Sequence, residues 1–273
     1  FCYLPMYGIT IAFQNYSPRL GISGSSWVGF KHFIRFFESP SFFKLLFNTL
    51  RISGLGLIIG FPAPILLALL LNELKSARLG KVIQNCTYIP HFISMVVVCS
   101  IIRIFTADTG VIGAMYNAIT GHTGNMLNES STFLPIYIVS NIWQSAGWGS
   151  IVYLAALTGI DQSLYEAAEV DGAGKLRKVI SITLPGIFPT IVMMVIMRMG
   201  QLLSVGYEKI LLLENSMTRD VSEVISTYDY RRGIIDNQWS FSAAVGLFNT
   251  VVNIICVGAA NMLSKKLNGY ALW

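Results

Sequence analysis

Long apolar runs constrain this chain more than any other feature. They cover 43–71, 88–105, 133–159, 186–213 and 241–263, and each is apolar nearly all round rather than along one stripe. A helix that crosses a bilayer needs about 20 such residues in a row. Only 12% of the 273 residues are charged, against 53% hydrophobic. A soluble domain ordinarily carries about 25% charged residues, so 19 Lys and Arg with 14 Asp and Glu cannot coat a globule of this size. The aliphatic and aromatic content excludes disorder, and four Cys in so long a chain exclude a disulfide scaffold. The chain reads as an all-α integral membrane protein.

A further apolar run, Phe1 to Phe13, is too short to span and reads as the outer half of a first span. With it the spans number six. The division expected is 1–42, a partial first span with an extracellular loop and interfacial helix, and 43–273, a five-span core with a cytoplasmic loop at 161–185. The second span carries Gly56 and Gly60, a spacing that lets helices approach closely. Pro62 and Pro64 follow, so a kink or local unwinding is expected there. The third span is expected to start near Pro90 and to end at Arg103, and Gly110–Thr120 to form a short interfacial helix. Lys75, Arg78, Lys81, Lys175, Arg177, Lys178, Lys265 and Lys266 would all share one side, which the positive-inside rule makes cytoplasmic. The opposite loops also carry Lys and Arg, so charge alone orients the chain only weakly.

The net charge of +5 is scattered between apolar runs, with no basic stripe of the kind that binds nucleic acid. Cys2, Cys86, Cys99 and Cys256, and His32, His91 and His122, show no metal-ligand spacing. No catalytic, metal or cofactor residue is proposed on this chain.

The loop after the fourth span carries Glu166-Ala167-Ala168, then Gly172, then Ile182, Leu184 and Pro185. Asp161 and Ser163 can cap a helix through Leu164–Ala168, Glu166 and Glu169 lie early in it, and Gly172 and Gly174 allow a sharp turn. A second short helix is expected from Lys175, with Pro185 helping to end it. The pattern E-A-A-x-x-x-G-x9-I-x-L-P resembles the cytoplasmic motif of ABC-importer permeases. The likeness extends to Tyr3–Gly8, Trp27–Phe30, Phe61–Pro64, Tyr88–Ser94, Tyr153–Ala156, Gly159–Asp161 and Leu272-Trp273, and is similar to the oligosaccharide branch, the lipoprotein-dependent glycan importers of Gram-positive bacteria.

The resemblance implies a type I transmembrane fold in the plasma membrane. It implies a heterodimer with a second permease, two ATPase subunits, a lipid-anchored extracellular binding protein and an oligosaccharide substrate. It also implies that the loop is a coupling helix, with Glu166, Ala167, Ala168, Asp171, Gly172, Ile182, Leu184 and Pro185 meeting the ATPase. ATP and Mg would be held by that partner. The nearest phosphate-loop lookalike here, Gly172-Ala-Gly174-Lys175, is followed by Leu176 where Ser or Thr is required.

Polar residues within spans usually face a bundle interior. Asn141, Gln144, Ser145 and Trp148 recur on one face of the fourth span. Arg198, Gln201, Glu208 and Lys209 fall within a narrow arc of the fifth, and Asn249 and Asn253 share a face of the sixth. Asn141, Gln144, Trp148, Arg198, Gln201, Glu208, Asn249 and Asn253 are candidate solute-path residues. Trp27–Glu38 reads as an amphipathic interfacial helix with Phe30, Phe33, Ile34 and Phe37 on one face. Part of the long loop 214–240 is expected to be ordered against the binding protein or the pore mouth, with Arg231 and Arg232 as the docking candidates. A secondary transporter or channel is the alternative, but no inverted repeat is visible. An intramembrane enzyme would need D-x-x-D or H-E-x-x-H, and neither occurs.

Overall fold

The computed structural model describes residues 6–121 and 123–272, apart from the Asn268 side chain. The described residues are 77% helical. Phe1–Pro5, Cys2, His122 and Trp273, which bear on the partial first span, the metal survey and the terminal resemblance, lie outside the described residues. A 3₁₀ helix at Tyr7–Phe13 leads into a small antiparallel hairpin, Gln14–Asn15 against Ser26–Trp27. The principal helices then follow: α1 (Lys31–Phe37), α2 (Phe42–Leu55), α3 (Pro62–Asn72), α4 (Ala77–Phe92), α5 (Met95–Thr106), α6 (Val111–Thr120), α7 (Ser130–Thr158), α8 (Gln162–Val170), α9 (Lys175–Lys178), α10 (Leu184–Met199), α11 (Tyr207–Leu213), α12 (Arg219–Ser222), α13 (Ile225–Tyr230) and α14 (Trp239–Asn268).

Among the described residues, four helices are long and apolar enough to cross a membrane: Phe42–Asn72, Met95–Thr120, Lys175–Met199 and Trp239–Leu267. α7 has the length but falls outside that set on composition, since Ser, Thr, Asn and Gln recur along it. Two of the four runs contain a π turn just ahead of a proline. Gly56–Gly60 precedes Pro62, and Val179–Thr183 precedes Pro185. A proline ring clashes with the carbonyl four residues earlier and offers no N–H. The wider π turn absorbs both defects and lets the helix continue. Pro185 therefore opens α10 rather than closing the helix before it, contrary to the sequence expectation.

Two other boundaries move. Pro90 lies inside α4, and the third apolar helix begins at Met95 after a break at Ile93–Ser94. The fifth run does not extend from 186 to 213 as one helix. α10 stops at Met199, an irregular segment follows, and α11 starts afresh at Tyr207. Apolar content runs on across that break, which is why hydropathy alone misses it.

The chain divides into two compact units. One comprises Phe1–Gly54, Cys99–Leu134 and Gly200–Cys256, and the other Leu55–Val98, Pro135–Met199 and Val257–Trp273. The core of the first joins Phe36, Leu45, Ile225, Tyr228, Phe241 and Val245. Phe36 meets the Phe42 ring edge-on at 5.1 Å and the Phe248 ring at 5.5 Å. Polar bonds lock the same unit. Asn48 Nδ2 donates to the carbonyls of Asp220 and Glu223 at 3.0 and 3.1 Å, and the Ile225 amide donates to Thr49 Oγ1 at 3.0 Å.

The core of the second unit joins Ile65, Ala68, Tyr153, Leu157 and Ile187. Among its glycines the tightest surroundings are at Gly147, where an added Cβ would lie 2.0 Å from the Thr87 carbonyl oxygen. α4 and α7 can cross there only because Gly147 has no side chain. The Gly56/Gly60 pair makes no such approach among the described residues: a Cβ at Gly56 meets nothing within 4 Å, and one at Gly60 only the Ile142 side chain at 3.8 Å. Those glycines sit in the π turn instead.

Candidate coupling site and solute path

The 161–185 loop lies wholly within the second unit. Asp161 caps α8, its carboxylate accepting the Ser163 amide at 2.9 Å. That bond holds the Asp161 carboxyl below its ordinary value. The C-terminus of α8 closes in a Schellman motif. The Ala173 amide donates to the Ala168 carbonyl at 2.8 Å and the Gly172 amide to the Glu169 carbonyl at 3.0 Å. Gly172 takes the left-handed conformation this requires, with φ +73°. A side chain there would cost roughly 1–2 kcal/mol of backbone strain.

Lys178 pairs with Glu169 at 2.5 Å across the turn and keeps the Glu169 carboxyl below its ordinary value. The Tyr165 and Thr183 hydroxyls hydrogen-bond at 2.9 Å, with Thr183 buried. The loop is thus a preformed helix–turn–helix. Its outer surface is apolar in an unusual way: Val170 is 89% exposed and Leu176 73% exposed, and Leu164 and Ile180 are exposed as well. Glu166, Ala167, Asp171, Gly172 and Pro185 are exposed beside them, while Ala168, Ile182 and Leu184 are half-buried. A rigid element showing large apolar groups to solvent is built to be covered.

The solute-path candidates separate. In the second unit, α7 places Gln144 in a buried position, Asn141 half-buried and Trp148 exposed. The Trp148 indole lies parallel to the His91 ring, centroids 4.7 Å apart, with Phe92 edge-on at 5.5 Å. His91 was not among the candidates; the ring stack joins two helices far apart in sequence, and no periodicity marks it. Arg198 is exposed near the end of α10.

In the first unit, Gln201, Glu208 and Lys209 are not on one helical arc with Arg198, because the helix ends before them. Glu208 is exposed in the first turn of α11, whereas Lys209 is 2% exposed. Adjacent helical positions point about 100° apart. Asn249 is half-buried on α14, and its Oδ1 has no hydrogen-bond partner among the described residues. Asn253, also on α14, accepts the Leu203 amide at 3.1 Å and donates to the Ser204 hydroxyl at 2.9 Å. It fastens the irregular segment after Met199.

The loop 214–240 corrects a second expectation. Arg231 is not a surface cation. It donates to the carboxylates of Glu214 and Glu223, and the three side chains are 17%, 7% and 20% exposed. Arg231 ties the loop to itself. Arg232 is half-exposed, bonded to Asp236 at 3.0 Å and lying over the Tyr228 ring at 5.2 Å. Apolar helices long enough to cross a bilayer, joined by a preformed loop with an uncovered apolar face, define an integral membrane protein with a surface open to a partner.

The chain belongs to the family described as the inner membrane component of binding-protein-dependent transport systems, whose model matches residues 60–269. It is an ABC-importer permease of type I fold, a multi-pass protein of the bacterial inner membrane. It is 49% identical to the polygalacturonan/rhamnogalacturonan transport system permease protein YteP of Bacillus subtilis, over 97% of this chain and 83% of the relative. It is 46% identical to protein LplB of the same organism, over 100% and 86%. A solved bacterial alginate ABC transporter, in complex with an alginate pentasaccharide-bound periplasmic protein, includes a chain that matches with a TM-score of 0.89. That chain is 41% identical, and the match covers 100% of this chain and 91% of it.

Proposed function

We propose that this chain is one permease of a heterodimer that imports oligosaccharide fragments of a complex glycan. Two ATPase subunits drive it, and an extracellular lipid-anchored binding protein feeds it. The likeness to a polygalacturonan/rhamnogalacturonan permease and to an alginate importer supports the substrate class. ATP and Mg bind the ATPase subunits. α8 and α9 are the coupling element, with Glu166, Ala167, Ala168, Asp171 and Gly172 at the partner contact and Ile182, Leu184 and Pro185 joining it to α10. ATP binding closes the ATPases, the coupling element moves with them, and the continuous helix from Lys175 to Met199 carries that movement into the membrane. Transport then follows from a change in which state is favoured, with no covalent chemistry on this chain. Asn141, Gln144 and Trp148 on α7, together with Arg198, Gln201, Glu208 and Asn249, remain the solute-path candidates. Trp148 with His91 offers an aromatic surface for the apolar face of a sugar ring. Asn253 is assigned to holding the segment after α10 and Arg231 to the loop's interior, and Arg232, bonded to Asp236 and lying over Tyr228, is not assigned to docking.

The exposed apolar row Leu164, Val170, Leu176 and Ile180 on a rigid, doubly capped turn carries this reading. The test is ATP-dependent uptake of an oligogalacturonate into proteoliposomes holding the whole complex. Gly172→Val is expected to lower uptake about tenfold or more while the permease still inserts at wild-type levels. Unchanged uptake with the ATPase still bound would sink the assignment of the loop.

A further inference from the structure

A cleft of about 800 Å³ opens in the first unit, between α1, the turn that follows it, α13 and the start of α14. Three cations line it, Lys31, Arg35 and Arg232, against one anion, Glu38. Lys31 and Arg35 have no ion-pair partner among the described residues, and Arg232 is shared with Asp236. The two guanidinium groups rest on aromatic rings: Arg35 lies 5.0 Å from the Phe241 centroid and Arg232 5.2 Å from that of Tyr228. A guanidinium over a ring can still offer N–H groups to an oxyanion, although Arg232 already gives one to Asp236.

The depth of the cleft identifies the anion. Pro40, in its wall, stands two residues before the apolar run Phe42–Asn72, and Phe241 lies in the first turn of the run Trp239–Leu267. A cleft at the ends of two spans lies at headgroup level. Beside it, Trp27, Phe30, Ile34, Phe37 and Trp239 are exposed, the aromatic and apolar side chains expected where a protein meets the bilayer interface. Cations at the phosphate level with apolar groups next to them match one molecule with an anionic head and hydrocarbon tails. We propose that this cleft binds the phosphate headgroup of an anionic phospholipid and anchors α1 to the outer leaflet.

The test uses the complete importer complex, purified in mild detergent and equilibrated with equal phosphatidylglycerol and phosphatidylcholine. Native mass spectrometry then counts retained lipid. Wild type should prefer phosphatidylglycerol, and each lost cation should lower that preference about fivefold. Arg35→Gln with Arg232→Gln is the main variant, and the paired Lys substitutions should restore the preference only in part, since an ammonium keeps the charge but not the planar fork. Lys31→Gln, which breaks no ion pair among the described residues, gives the reading should the double variant fail to fold. Equal retention of the two lipids by wild type, or undiminished preference in Lys31→Gln, would overturn the proposal. Displacement of the lipid by an oligogalacturonate at matched concentration would overturn it too, giving the cleft to the glycan. Retention in the presence of millimolar inorganic phosphate separates a lipid site from one for the free ion.

Discussion

The loops 161–185 and 214–240 are of similar length, join apolar segments and carry many charges, yet they spend their side chains in opposite ways. The first leaves its large apolar groups outside and holds its shape with caps, one glycine and an ion pair. The second turns Val224, Ile225 and Tyr228 inward and wraps Arg231 between two carboxylates. The uncovered surface of the first fits the partner contact proposed for it. The second consumes its apolar groups in completing its own unit. Charge content cannot separate the two cases, because a charge on a loop can face a partner or neutralise a neighbour.

The largest effect expected from breaking this contrast is at Arg231. Arg231→Ala leaves Glu214 and Glu223 facing each other with no cation, at a cost of about 3–5 kcal/mol. Thermal unfolding in detergent should fall by several degrees, and Arg231→Ala with Glu214→Gln should recover part of the loss. Val170→Asp and Leu176→Asp, on the other loop, should leave the unfolding temperature within error. They should instead weaken co-purification of the ATPase about tenfold or more, since they place a charge in the apolar contact proposed for this loop. A marked loss of stability from Val170→Asp would mean that the two loops do not differ as described.

Two smaller effects sharpen the comparison. Glu169→Gln removes the solvent-exposed partner of Lys178, an ion pair that water largely screens on the Glu169 side. Uptake should fall less than threefold, and less still at high salt. The last prediction concerns pH. Burial holds the His32 imidazole below its ordinary value of 6.5, and its Nε2 lies 3.1 Å from the Gln14 carbonyl. The unfolded chain therefore takes up the proton first as pH falls. Stability is full above about 6.5 and declines below it. The unfolding temperature of wild type should drop between pH 7.5 and 5.5, and that of His32→Gln should drop less.

Much of the coupling loop was legible because its information is local. Asp161, Gly172 and the Glu-Ala-Ala run act through bonds spanning two to five residues. Of the amphipathic helix expected over Trp27–Glu38 only Lys31–Phe37 forms, because Trp27 pairs into the hairpin, and nothing in the spacing marks its anchor, Phe36. Phe36 gains its role from Phe42, Tyr228, Phe241 and Phe248, most of them distant in sequence. The path candidates on the fifth run failed as a set because a period of 3.6 was carried through a break that apolar residues conceal.

By itself the sequence determined that this chain lies in a membrane, where its main apolar runs fall, and that one loop has the caps and the glycine to stand as a rigid turn. Those properties follow from transfer free energy and from hydrogen bonds between near neighbours. Tertiary structure alone decided that α10 ends at Met199, that Gly147 rather than the Gly56/Gly60 pair makes the tight crossing, that Arg231 is internal, and that Lys31, Arg35 and Arg232 share one cleft. Each depends on groups brought together from separate parts of the chain, and no local spacing encodes which of them meet.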